Sequence, residues 1–71
     1  MVNITDTGKN LKELIKIAGL TVQEVATRLY VTEQAVYRWC NGKTLPSIDN
    51  LVELSKLIDV KIEDILVEER E

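Results

Sequence analysis

Two short apolar stripes, each opened by a threonine and set almost end to end, constrain this chain more than anything else in it. Val22, Val25, Ala26 and Leu29 recur at helical spacing, and Thr21 stands three residues before Glu24, the spacing of a capping box, which predicts a helix over residues 22–29. Thr32 offers the next N-cap, Ala35, Val36 and Trp39 face one way behind it, and Asn41-Gly42 supplies a stop. A plain helical hairpin is one solution for such a pair. A steep crossing at close range is the other, and it demands a small residue where the helices touch. Ala26 meets that demand, flanked by Val25, Leu29, Val31, Val36 and Trp39.

The flanking sequence reads as helix as well. Leu11, Leu14, Ile15 and Ala18 form a stripe closed by Gly19, with Lys9, Lys12, Glu13 and Lys16 on other faces. After the loop Lys43-Thr44-Leu45-Pro46, Ser47 caps a further helix whose Ile48, Leu51, Val52, Leu54, Ser55 and Ile58 are expected on its buried side. A short last helix is expected over residues 62–67, placing Ile62, Ile65 and Leu66 in the core. No strand alternation or repeat competes with this all-α, five-helix reading. Seventy-one residues suffice for one domain with a modest core, expected over residues 9–67, with 1–6 and 68–71 as flexible ends. Phe is absent and the aromatics are Tyr30, Tyr37 and Trp39, so Leu, Ile and Val must fill the interior. Trp39, in line with Val36, is expected to anchor it.

Function classes fall away on inventory. Cys40 is the only cysteine and histidine is absent, so a disulfide, a cysteine–histidine metal site and a histidine-based nucleophile are all missing, and Cys40 reads as a packed thiol. Glu63 and Asp64 are sequence neighbours and do not share a helix face, and no glycine-rich phosphate loop occurs, so an enzyme is not expected. No metal, cofactor or small-molecule ligand is expected either. The N-terminal residues lack the apolar run of a signal peptide, and polar residues interrupt every apolar stretch, so no membrane span and a cytoplasmic location are expected. The net charge of −3 opposes a nucleic-acid partner at first sight. Its distribution weakens the objection. Residues 1–58 carry seven Lys/Arg against six Asp/Glu, whereas 59–71 carry two against six.

Projecting the third helix at about 100° per residue sets Glu33, Tyr37, Asn41, Gln34 and Arg38 in one arc opposite Ala35, Val36 and Trp39. The free arc carries amides, a guanidinium, a phenol and a carboxylate, groups able to hydrogen-bond to base edges in a major groove.

Gly19-Leu20-Thr21 through Val25-Ala26, then Ala35-Val36-Tyr37-Arg38-Trp39, Asn41-Gly42-Lys43 and Pro46-Ser47, resemble the XRE family, that of the phage Cro and lambda-type repressor DNA-binding domains. Leu51-Val52-Glu53-Leu54-Ser55-Lys56-Leu57 and Glu63-Asp64-Ile65-Leu66 resemble that family's last two helices, so the likeness runs over about residues 9–67. It implies a compact five-helix, lambda-repressor-like domain with a helix-turn-helix at helices two and three, binding double-stranded DNA, commonly as a homodimer on a palindromic operator. By the same likeness Glu33, Gln34, Tyr37 and Arg38 fall at base-reading positions, and Thr32, Asn41 and Lys43 at phosphate positions. Glu33 has two readings: it accepts from cytosine, or it serves the first-turn dipole. Two residues depart from the pattern. Val22 stands where many relatives carry a phosphate-binding Gln, and Tyr30 holds the turn position usually given to Gly. The expected function is sequence-specific transcriptional regulation, in the simplest case repression. The competing expectation is a protein-interaction module of the same fold, an antitoxin subunit or adaptor, favoured by the acidic C-terminal end.

Overall fold

In the computed structural model, which describes residues 1–69, the chain forms α1 (Ile4–Ile17), α2 (Val22–Leu29), α3 (Glu33–Cys40), α4 (Ile48–Leu57) and α5 (Ile62–Ile65). The five-helix expectation holds in number, order and type. Leu11, Ile15, Val25, Val36, Trp39, Leu51, Leu54, Ile58 and Ile65 fill one buried cluster, with Ala26 and Leu29 at the α2 side. Both α1 and α2 pack on α3, while α5 packs on α1 and α4. No helix among the described residues is long and apolar enough to cross a membrane.

The first four helices close in the same way. Leu20, Val31, Lys43 and Val60 each donate a backbone N–H to the carbonyl five residues earlier, at Ile15, Ala26, Arg38 and Ser55. This 6→1 bond needs a left-handed residue just before the donor. Gly19 and Gly42 supply it with φ of 75° and 70°, and Tyr30 and Asp59 supply it with φ of 57° and 55°. Tyr30 therefore keeps the positive-φ turn that its position implies, despite its bulk.

Four expectations need correction. Residues 1–6, expected as a flexible end, instead include the first turn of α1: Asn3 is its N-cap, its side-chain oxygen accepting from the Asp6 amide at 3.0 Å. Asn3 then donates its own N–H to Val67 O at 2.7 Å, Val2 bridges Glu68, and Glu69 donates to Met1 O. The cap and this pairing give the N-terminal residues backbone partners that the apolar pattern alone does not reveal. Helix α5 ends at Ile65 because Leu66 is extended, which turns Val67 back along α1 to meet Asn3 and Thr7. Ile48, expected on the buried side, is 78% exposed at the first position of α4, just after the cap, although Leu51 in the same turn is buried. Ala18 at the end of α1 is likewise exposed. Residues 70 and 71 of the expected flexible C-terminal end lie outside the described residues.

Candidate nucleic-acid interface

Helix α3 starts because Thr32, in extended conformation, turns its hydroxyl oxygen onto the Ala35 amide at 3.1 Å. That satisfies one of the helix's orphan donors. Over the next two turns the helix divides into a buried side, Val36, Trp39 and Cys40, and an exposed side, Glu33, Gln34, Tyr37 and Arg38. Trp39 is only 6% exposed, so it is an anchor and not a stacking platform.

The frame holding α3 has two contacts of different kinds. Toward α2 it is side-chain packing, with buried Ala26 and Leu29 in the same cluster as Val36 and Trp39. Toward α1 it is backbone against backbone. A Cβ at Gly8 would stand 2.5 Å from Trp39 O and 2.8 Å from both Cys40 O and Gly42 N. A Cβ at Gly42 would stand 2.8 Å from Thr5 Cα. Two glycines thus permit the N-terminal half of α1 to lie directly on the end of α3. Sequence reasoning missed Gly8. The available signal was a glycine just ahead of a helical stripe, where it weakens the helix and so points to a close approach.

All seven residues singled out in the sequence lie at the surface: Thr32, Glu33, Gln34, Tyr37, Arg38, Asn41 and Lys43 are exposed. The structure gathers three of them, Thr32, Gln34 and Arg38, around a shallow depression of about 270 Å³ completed by Ala35, Trp39 and Thr44. Glu33 and Tyr37 lie outside that depression, on the same exposed side of the helix. Asn41 caps α3, donating its backbone N–H to Tyr37 O at 2.8 Å, and Lys43 donates to Arg38 O at 2.9 Å. Lys43 is therefore held close to the helix end and not on a free loop. Thr44, which the sequence did not mark, joins the rim of the same depression.

Arg38 and Lys43 have no carboxylate partner among the described residues, where Lys61–Glu63 at 3.9 Å is the one ion pair. That pair is well exposed on both sides and stabilises little. Helix α5, with Glu63 and Asp64, packs on α1 and α4, and leaves Arg38 on α3 and Lys43 just beyond its end without an ion pair to it.

A capped helix with one buried and one polar exposed side, braced by a preceding short helix across a left-handed turn, is the geometry of a helix-turn-helix. Residues 11–65 match the family model described as helix-turn-helix. The chain is 33% identical over 58 residues to the HTH-type transcriptional activator BcrR of Enterococcus faecalis, covering 82% of this chain but 28% of that protein. It spans little more than a quarter of that relative's length. Among solved structures, the restriction-modification controller protein C.AhdI from Aeromonas hydrophila superposes with a TM-score of 0.79 at 21% identity, over 87% of this chain and 94% of that one. With the model match spanning most of the molecule and the XRE-type residues standing on the elements their spacing implied, the chain belongs to the helix-turn-helix family.

Proposed function

We propose that this protein binds double-stranded DNA with α3 in the major groove and regulates transcription by occupying an operator. The observation that carries the reading is the division of α3: Val36 and Trp39 lock it to the core, while Gln34, Arg38, Tyr37 and Glu33 stand exposed together on the other side. In this reading Gln34 and Arg38 are the principal base readers, the first suited to adenine and the second to guanine. Tyr37 adds a phenol and apolar edge, and Glu33 accepts from cytosine or favours the positive end of the helix. Thr32, Asn41 and Lys43 flank the reading face and meet phosphates, with backbone amides at the helix starts assisting. A homodimer on a palindromic site doubles the short stretch that one helix can read. The simplest output is repression by blocking polymerase. The similarity to a protein named as an activator makes the position of the operator relative to the promoter the deciding variable.

Selecting bound duplexes from a random pool defines the site, and salt series on wild type and three variants test the reading. Gln34→Ala and Arg38→Ala should each cost about 1–3 kcal/mol on the selected site and relax preference at particular base pairs. Lys43→Ala should weaken all duplexes alike and lower the salt slope by about one. Folded variants that bind every duplex as wild type does would refute α3 as the reading element and favour the interaction-module reading that the net charge of −3 keeps open.

A further inference from the structure

A second depression lies where α1, the α1–α2 turn, α2 and the end of α3 meet. It measures about 290 Å³ and is lined by Lys12, Ile15, Lys16, Leu20, Val22 and Cys40. It shares no residue with the depression beside Gln34 and Arg38, and Cys40 is its one residue on α3. Its base is buried Ile15 and Cys40, its walls are half-buried Leu20 and Val22, and its mouth carries two exposed lysines. Its size falls just short of the range for small-ligand pockets, roughly 300–1,000 Å³, and it shares with them apolar walls and a few placed charges.

Lys12 and Lys16 stand four residues apart on α1, so their like charges oppose each other on one helix face. Neither has an acidic partner among the described residues. Val22 is the first residue of α2, and its neighbours Thr21 and Glu24 meet the capping need of that helix without it. Its side chain packs partly against the core and leaves the rest as pocket wall.

We propose that this depression binds a small linear monocarboxylate, with its alkyl chain along Ile15, Leu20 and Val22 and its carboxylate between the Lys12 and Lys16 ammonium groups. The anion relieves the lysine repulsion, and the chain covers apolar walls that no protein element covers. Burial raises the Cys40 pKa above its ordinary value, against a smaller lowering by Lys12, so the thiol stays protonated and offers the chain a neutral surface. This goes beyond the DNA-binding reading and does not depend on it.

Octanoate below its micellar concentration is the probe, with acetate, octylammonium and octanol as controls, each titrated into the ¹⁵N-labelled protein and followed by amide shifts. Octanoate should bind at least about tenfold more tightly than acetate, because the chain adds buried apolar surface, and similarly more tightly than octylammonium. Its shifts should centre on Lys12, Ile15, Lys16, Leu20, Val22 and Cys40. The double variant Lys12→Glu/Lys16→Glu changes only exposed side chains and should stay folded by circular dichroism. It should lose octanoate about tenfold and gain octylammonium correspondingly. Equal binding of octanoate and octylammonium by wild type, octanoate binding that survives charge reversal, shifts centred elsewhere, or no binding of octanoate would each overturn the proposal.

Discussion

Gly8→Ala sets two opposed effects against each other, and the structure decides the sign. In an exposed helix interior the change would stabilise by about 0.5–1 kcal/mol, because alanine loses less backbone freedom on folding. Here the added methyl would stand 2.5 Å from Trp39 O and 2.8 Å from Cys40 O and Gly42 N. All three neighbours are backbone atoms, so no side chain can swing away, and α1 must move off the end of α3. Overpacking of this kind costs typically about 1–3 kcal/mol, and rigid backbone partners place Gly8 at the upper end. The net expectation is destabilisation of about 2 kcal/mol, or a Tm lower by roughly 8–16 °C for a domain of this size. Thermal melts followed by circular dichroism measure it. Gly19→Ala is the comparison: its φ of 75° imposes left-handed strain, but nothing lies within 4 Å of its Cβ, so it should cost less than Gly8→Ala. A Gly8→Ala protein as stable as wild type would show that α1 does not rest on the α3 backbone, and the account of how α3 is held would fail.

Tyr30→Gly should be neutral or raise stability by up to about 1 kcal/mol, since relief of left-handed strain outweighs the added freedom of the unfolded chain; Tyr30 is 96% exposed, so little packing is lost, and a lower Tm would refute this. Thr7→Val should cost about 1–3 kcal/mol, because the buried hydroxyl accepts from Val67 N at 2.9 Å and donates to Val67 O at 3.4 Å. Amide exchange at Val67 should accelerate, and unchanged exchange would mean that the pairing does not hold the C-terminal segment. Cys40 has a pKa raised by desolvation, so its contribution to stability is present below the thiol's unfolded pKa and lost as pH rises through the higher folded one. Melts across alkaline pH on wild type and Cys40→Ala should therefore converge as pH increases, and a difference independent of pH would refute the assignment.

The helices were legible because each rests on a local device: Thr21, Thr32 and Ser47 caps, apolar stripes, and Gly19 or Gly42 stops. The exposed side of α3 was legible for the same reason, since periodicity alone separates Gln34 and Arg38 from Val36 and Trp39. What escaped the sequence depends on contacts between segments far apart in the chain. Asn3, Thr7 and Asn10 are polar residues ahead of, or between, the apolar positions of α1, and only the folded chain brings Val67 to the first two and the carbonyls of Asp64 and Ile65 to the third. Ile48 misled in the opposite direction. It is in register with Leu51 and Leu54, but periodicity gives direction around a helix and not whether a neighbour reaches that turn.

The net charge of −3 becomes compatible with a DNA-binding face once charge is assigned to elements instead of to the chain. Asn10 donates to the carbonyls of Asp64 and Ile65 at 2.7 and 2.9 Å, and Asn3 and Thr7 hold Val67, so the acid-rich segment is fastened to α1. Arg38 lies on α3 and Lys43 just beyond its end, whereas α5 packs mainly on α1 and α4. The molecule measures 37 × 22 × 21 Å, whereas exposed charges are screened over about 8 Å at physiological ionic strength. Charges separated by more than about one such length act locally, so a phosphate approaching α3 responds first to the cations beside it. At roughly 0.01 M salt the screening length grows to about 30 Å, exceeding the shorter dimensions of the molecule, and the C-terminal carboxylates then oppose DNA approach as a whole. Under the proposed function the acidic end would select against indiscriminate phosphate binding most strongly where electrostatics reach furthest, while the base-edge contacts proposed for Gln34 and Arg38 would not depend on that reach.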